Sequence, residues 1–326
     1  MKKDERPDLT ILTAPIYNFP LRWYSTFRYS FLPELKKNPL GIFQPIPEFG
    51  GHPAVTRSLI HGLQQLSVTF NYNPQHQDLF STNVAVLSNI DALKQAIKLK
   101  EKKRINRLIA GPNLMVLSNQ FGGILGHNAI DRCIVPSDWV GLAYQEDNPD
   151  LLGKISVWYS GVDERFWKPQ QKIRNKVLIY WKTEDEEFCR AVENILLRYD
   201  FELVRLKYGT YDRYQYRETL NNSIFAVFIS RSESQGIALA EAWAMDVPTL
   251  VWDPKEFSYQ GRDFAHVTSS PYLTENTGHK WTNFEEFDEL LSKFLINQKR
   301  YHPRKWIIDN MTDKICAERF LALFNE

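Results

Sequence analysis

The stretch SRSESQGIALAEAWAMDVPTLVW (residues 230–252) decides the fold. It continues the apolar run IFAVFIS (224–230), which reads as a strand of the fully buried type. A loop holding Glu233, Ser234, Gln235 and Gly236 follows, and a strongly apolar helix begins at Ile237. Asp246-Val-Pro248 ends that helix and leads into the strand TLVW (249–252). Buried strand, helix and buried strand in succession are the unit of a parallel α/β sheet. Gly236 permits a positive φ or a close backbone approach. The first N–H groups of the helix lack intrahelical partners and attract phosphate. In an open α/β sheet, ligands bind at the carboxyl edge of the strands, which is where this loop emerges. Glu241 lies inside the apolar run Ile237–Met245. A carboxylate there must be solvated, paired or hydrogen-bonded, because stranding it costs several kcal/mol. A hydroxyl-rich ligand would satisfy it, and beside a phosphate-attracting helix end that points to a nucleoside diphosphate sugar.

The rest of the chain repeats the alternation. LTILTAP (9–15), SVTFNYN, NVAVLSN, RLIAGPN, the start of IDRCIVPSDWV (130–140), KISVW, KVLIYWK (176–182) and FELVRLKYG read as strands. Between them, Gly50-Gly51 precede a helix with Val55, Leu59, Leu63 and Leu66 on one face. Further helices are predicted at 91–103, over EDEEFCRAVENILLRY and over TYDRYQYRETLNNS. The final segment places Ile308, Met311, Ile315 and Leu323 on one helical face.

With 326 residues and 43% hydrophobic content, the chain has room for two domains. Its 40 Lys+Arg nearly balance 39 Asp+Glu, which argues against a nucleic-acid partner. Three widely spaced cysteines, with no CxxC or Cys/His cluster of zinc spacing, argue against a disulfide framework or a structural zinc site and fit a reducing compartment. No signal-peptide pattern or membrane-length apolar run is present, so the expected location is cytoplasmic. Lys94, Lys98 and Lys102 form a stripe on the basic helix 91–104, which suits either solvent or the inner face of an anionic membrane.

The pair Glu233 and Glu241, with seven residues between them, resembles the E-x7-E motif of retaining GT-B glycosyltransferases, glycosyltransferase family 4 in particular. The surrounding strand, Gly236, and the helix ended at Pro248 match the same pattern. SGVDERFWKP resembles the family's interdomain turn, KVLIYWK its strand ending in a diphosphate-binding Arg, and EFGGHPAVTRSL its glycine-rich acceptor-domain loop. The resemblance implies two Rossmann-like parallel-sheet domains facing across a cleft: an acceptor domain over 1–158, a donor domain over 159–300, and a C-terminal helix over 301–326 crossing back. It further implies that Glu233 contacts donor-sugar hydroxyls, that Glu241 contacts the ribose, and that the backbone of Ser234, Gln235, Gly236 and Ile237 lines the sugar–phosphate site. Lys182 stands where the Arg would meet the diphosphate, and Gly50 and Gly51 approach the phosphates. The family carries a further Lys about one turn after the Arg; here that stretch is Thr183-Glu-Asp-Glu-Glu, leaving Arg190 or Arg231 to replace it.

The expected activity is transfer of a sugar from a nucleotide-sugar co-substrate to an acceptor hydroxyl, with retention. The acceptor is a glycan, a lipid-linked sugar or a small molecule. No further cofactor is expected and, without an Asp-x-Asp motif, no metal is required. His127, in the loop FGGILGHNAID, is a catalytic candidate facing the cleft, and Asn113, Ser137 and Trp139 are acceptor-side candidates. A non-catalytic sugar-nucleotide or glycan-binding protein, or a sugar-nucleotide epimerase using His127, are the alternatives on the same fold.

Overall fold

The computed structural model describes residues 7–16, 51–74, 76–170 and 174–325. The first half supplies β1 (Leu9–Leu12), α1 (Gly51–Gln65), β2 (Phe70–Tyr72), β3 (Asn83–Ser88), α2 (Ile90–Glu101), β4 (Arg107–Asn113), β5 (Arg132–Val135), α3 (Asp138–Asp147) and β6 (Ile155–Val157). Its six strands form one parallel sheet ordered β2-β1-β3-β4-β5-β6. Helices cover both faces, which is why burial does not alternate along β1 and β3: all four residues of β1 and the middle four of β3 are buried. Asn89 caps α2, its side-chain oxygen accepting from the N–H groups of Asp91 and Ala92.

The second half contains β7 (Lys176–Trp181), α4 (Glu186–Leu197), β8 (Glu202–Lys207), α5 (Arg213–Asn222), β9 (Ser223–Ile229), α6 (Ile237–Ala244) and β10 (Thr249–Trp252). A small antiparallel pair, β11 (Ser258–Tyr259) and β12 (Arg262–Asp263), precedes β13 (Gly278–Trp281) and α7 (Phe284–Ile296). The second sheet is parallel with order β13-β10-β9-β7-β8, one strand fewer than the first. The chain runs outward from β7 to the edge strand β8 and returns through α5 to β9 on the other side of β7. The strand order therefore reverses between β7 and β9, and a crevice opens beyond their carboxyl ends. Lys182 and the 230–236 loop leave the sheet at that crevice.

The terminal segment is two helices rather than the single one expected. α8 (Pro303–Asn310) packs with the second-sheet core through Ile307 and Met311, while α9 (Asp313–Ala322) packs on the first through Ala317 and Phe320. The break falls at Met311–Thr312, where the Met311 carbonyl accepts from the Val162 N–H and Thr312 caps α9. Ile308 is consequently exposed rather than sharing a buried face with Met311. α9 lies very close to α1 because position 62 is glycine: a methyl group there would sit 2.2 Å from the Asp313 carbonyl oxygen.

Candidate functional site

Each side chain at the crevice is placed by its strand end. The Lys182 N–H continues the β7–β9 pairing by donating to the Ile229 carbonyl (3.0 Å). Its Nζ then reaches Glu233, 3.0 Å from Oε1 and 3.2 Å from Oε2, and lies 5.0 Å from the centroid of the Tyr208 ring. Glu233 also accepts from Ser230 Oγ (3.2 Å), and its N–H donates to the Thr268 carbonyl (3.0 Å). Across the cleft, Trp139 Nε1 on α3 donates to the Glu233 carbonyl (3.0 Å), so the loop is held by both halves of the chain.

The buried side chain of Gln235 is taken up by the inter-sheet segment: its Oε1 accepts from Ser160 N–H and Oγ (both 3.1 Å) and its Nε2 donates to the Ser160 carbonyl (2.9 Å). Gln235 thus offers the site its backbone and uses its side chain as a latch. Gly236 adopts φ +81° and turns the chain into α6, directing the helix amino end at the cavity; the left-handed conformation explains the glycine.

The cavity has a volume of about 480 Å³ and is bounded by the 233–238 loop and helix start, Lys182, Tyr208, one face of α1, and Glu241. Glu241 is half-buried, and among the described residues no hydrogen bond ends on its carboxyl group. Burial pushes this carboxyl up to about 8, opposed by the Arg213 and Arg57 guanidiniums. It is therefore largely protonated at neutral pH. Beside it, Tyr211 Oη donates to Tyr180 Oη (3.0 Å) and Tyr216 Oη to the Ala238 carbonyl (2.8 Å). Burial raises all three phenols, keeping them protonated.

Glu233, Lys182, Glu241, Ser234, Gln235, Gly236, Ile237 and Gly51 all border this cavity. Gly50 lies outside the described residues. His127 does not border it: its Nδ1 accepts from the Ala129 N–H (3.1 Å) and its Nε2 lies 3.7 Å from Glu101 on α2, so the chain does not bring it to Glu233. Arg190 lies 3.7 Å from Glu186, and Arg231 pairs with Glu184 (2.8 Å) against Trp252; neither reaches the cavity. Ser137 and Trp139 border a smaller cavity of about 210 Å³ with Thr268 and Tyr272, whereas Asn113 borders neither. Lys94, Lys98 and Lys102 are exposed. Among the described residues, no helix is long and apolar enough to cross a membrane and no cluster of three or more His, Cys, Asp or Glu could hold a metal ion.

The polar residues at the cavity that were not singled out from the sequence include Arg57, His61, Arg213 and Asp313. His61 Nδ1 lies 2.7 Å from Asp313 Oδ2. Asp313 is buried, which pushes its carboxyl up to about 6 against the hydrogen bond with His61. The available signal was weak: Arg57, Ser58 and His61 interrupt the apolar pattern of α1, and Asp313 is remote in sequence.

No protein-family model matches the sequence, and neither does any curated protein. Solved structures do match by shape. A glycosyltransferase from Rickettsia africae ESF-5 is similar with a TM-score of 0.58 at 10% identity, over 98% of both chains. AviGT4, a glycosyltransferase involved in avilamycin A biosynthesis, gives a TM-score of 0.53 at 11% identity, over 98% of this chain and 97% of that one. TarM gives 0.52 at 13% identity over 82% of this chain, which spans only 58% of TarM's length. The chain has the GT-B fold, with two parallel sheets facing across a cleft.

Proposed function

We propose that this protein is a glycosyltransferase that moves a sugar from a nucleotide-sugar donor to an acceptor hydroxyl, with retention at the anomeric carbon and without a required metal. One observation carries the reading: at the switch point of the second sheet, Glu233 and Glu241 border one cavity together with Lys182 and the amino end of α6. Glu241 supplies a ribose-binding carboxyl and Glu233 meets the sugar hydroxyls. Lys182 and the α6 amino end stabilise the charge that develops on the departing diphosphate, in a site whose dipoles are already oriented. Closure of the cleft excludes water and suppresses donor hydrolysis. The acceptor is a glycan, a lipid-linked sugar or a small molecule. The protein acts in the cytoplasm, with the stripe Lys94, Lys98 and Lys102 available to an anionic membrane surface.

The test is a thermal-shift screen of UDP-, GDP-, ADP- and TDP-sugars without metal, wild type beside Glu241→Ala. A selective stabilisation lost in the variant supports the donor site, since ligand at a hundred times its dissociation constant adds about 2.7 kcal/mol. No shift with any donor counts against it. The second reading, a sugar-nucleotide binder without turnover, is favoured by the pairing of Lys182 with Glu233, which already offsets the cation expected to meet the diphosphate. It predicts the same shifts but no product.

A further inference from the structure

The acidic run after Lys182 has structural duties. Asp185 caps α4 by accepting from the Phe188 N–H (2.9 Å), Glu184 pairs with Arg231 (2.8 Å), and Glu186 pairs with Arg205 (3.1 Å). No cation comes from there to offset a diphosphate, and Lys182 itself is engaged by Glu233. Among the described residues bordering the cavity, the other permanent cations are Arg57 and Arg213. They come from opposite halves of the molecule. Arg57 lies on the α1 face that borders the cavity with Gly51, Ala54 and Ser58; Arg213 is the first residue of α5. The Arg213 guanidinium lies 3.7 Å from the centroid of the Phe166 ring, a cation–π contact that fixes one of its faces. Both border the same cavity as Glu241, Arg213 half-buried and Arg57 exposed at its rim.

From this arrangement we propose that Arg57 and Arg213 form a two-sided guanidinium clamp for the donor diphosphate, one arm from each sheet domain, replacing the cation absent after Lys182. The inference rests on the glycosyltransferase reading above. A guanidinium presents a planar fork of donors that matches phosphate oxygens in bidentate fashion, which an ammonium does not. A diphosphate held between the two arms screens their mutual repulsion and ties the halves together, so donor binding and cleft closure become one event.

Calorimetric titration of the full chain tests this, with inorganic pyrophosphate and with UDP, GDP and ADP beside uridine, guanosine and adenosine. Arg57→Gln and Arg213→Gln should each weaken pyrophosphate and the accepted diphosphate about 10- to 100-fold. The parent nucleoside should stay within about twofold, and the salt dependence of diphosphate binding should flatten. Arg213→Lys keeps the charge and should fall between, and Arg231→Gln should match wild type. Unfolding curves confirm that each variant is folded. Wild-type binding that both Gln variants retain overturns the clamp and leaves the glycosyltransferase reading standing; so does nucleoside affinity falling as far as diphosphate affinity. A wild type that binds no diphosphate at all overturns the functional reading and the clamp with it.

Discussion

Donor binding at this site should release a proton. Burial holds the free Glu241 carboxyl at about 8, whereas a carboxylate accepting hydrogen bonds from two ribose hydroxyls is driven back towards the ordinary carboxylate range. Ionising the free group at pH 7 costs about 1.4 kcal/mol, the value of RT ln(1 + 10) for a group one unit below its pKa. The affinity of a nucleotide sugar, whose phosphodiesters do not titrate here, should therefore rise about 50-fold between pH 6 and pH 8 and level off above pH 9. At pH 7 about 0.9 proton should leave per ligand bound, read as the dependence of calorimetric enthalpy on the ionisation enthalpy of the buffer. The stability of the free protein carries the same linkage. The folded carboxyl titrates above its ordinary value of 4.5, so the native state binds more protons than the unfolded state between pH 4.5 and about pH 8. Stability from this group is thus greatest at low pH and declines across that window by up to about 1.4 kcal/mol per pH unit. Glu241→Gln should lose both slopes. Affinity that stays flat in wild type between pH 6 and pH 9, or a slope that survives in Glu241→Gln, would refute the assignment of the ribose to this carboxyl.

Lys182→Met removes the ion-pair partner of Glu233 and the cation facing the leaving group; initial transfer rates should fall about 100- to 1000-fold while the melting temperature changes little. Gly62→Ala drives a methyl group into the Asp313 carbonyl oxygen at 2.2 Å and should cost about 1–3 kcal/mol in urea unfolding. Gly51→Ala meets no atom within 4 Å and should leave stability within about 0.5 kcal/mol of wild type. Equal stabilities for these two variants would contradict the close α1–α9 approach.

What the sequence disclosed, and what it hid, follows from the range of each interaction. Glu233, Gly236 and Glu241 fall within nine consecutive residues of one strand–loop–helix unit, so local pattern and spacing place them on one edge. The cap at Thr312 was also a local signal, a Thr before a helical run; assuming one continuous face for Ile308, Met311, Ile315 and Leu323 overrode it. Arg57 meets Arg213 and Glu241 at one cavity only through the packing of the two halves, and His61 meets Asp313 only through the packing of α1 on α9. Spacing carries no trace of such pairs. His127 erred in the opposite direction, since a loop between strands of the first sheet can turn towards the cleft or, as here, towards α2.

The placement of Glu233 ties chemistry to domain geometry. Its carboxylate is fixed from the second sheet by Lys182 and Ser230, and its N–H by Thr268, but its carbonyl is fixed by Trp139 from the first sheet. Two residues on, Gln235 is bonded to Ser160, in the segment that joins the two sheets. A rigid-body opening of the cleft must break the Trp139 bond and load the Gln235 latch, so the loop that meets the sugar senses the separation of the halves. The same opening would draw Arg57 away from Arg213, because one rides on α1 and the other on α5. Alignment of Glu233 and convergence of the two guanidiniums are therefore satisfied by one closed arrangement, and an open cleft leaves both the sugar and the diphosphate without their full set of partners.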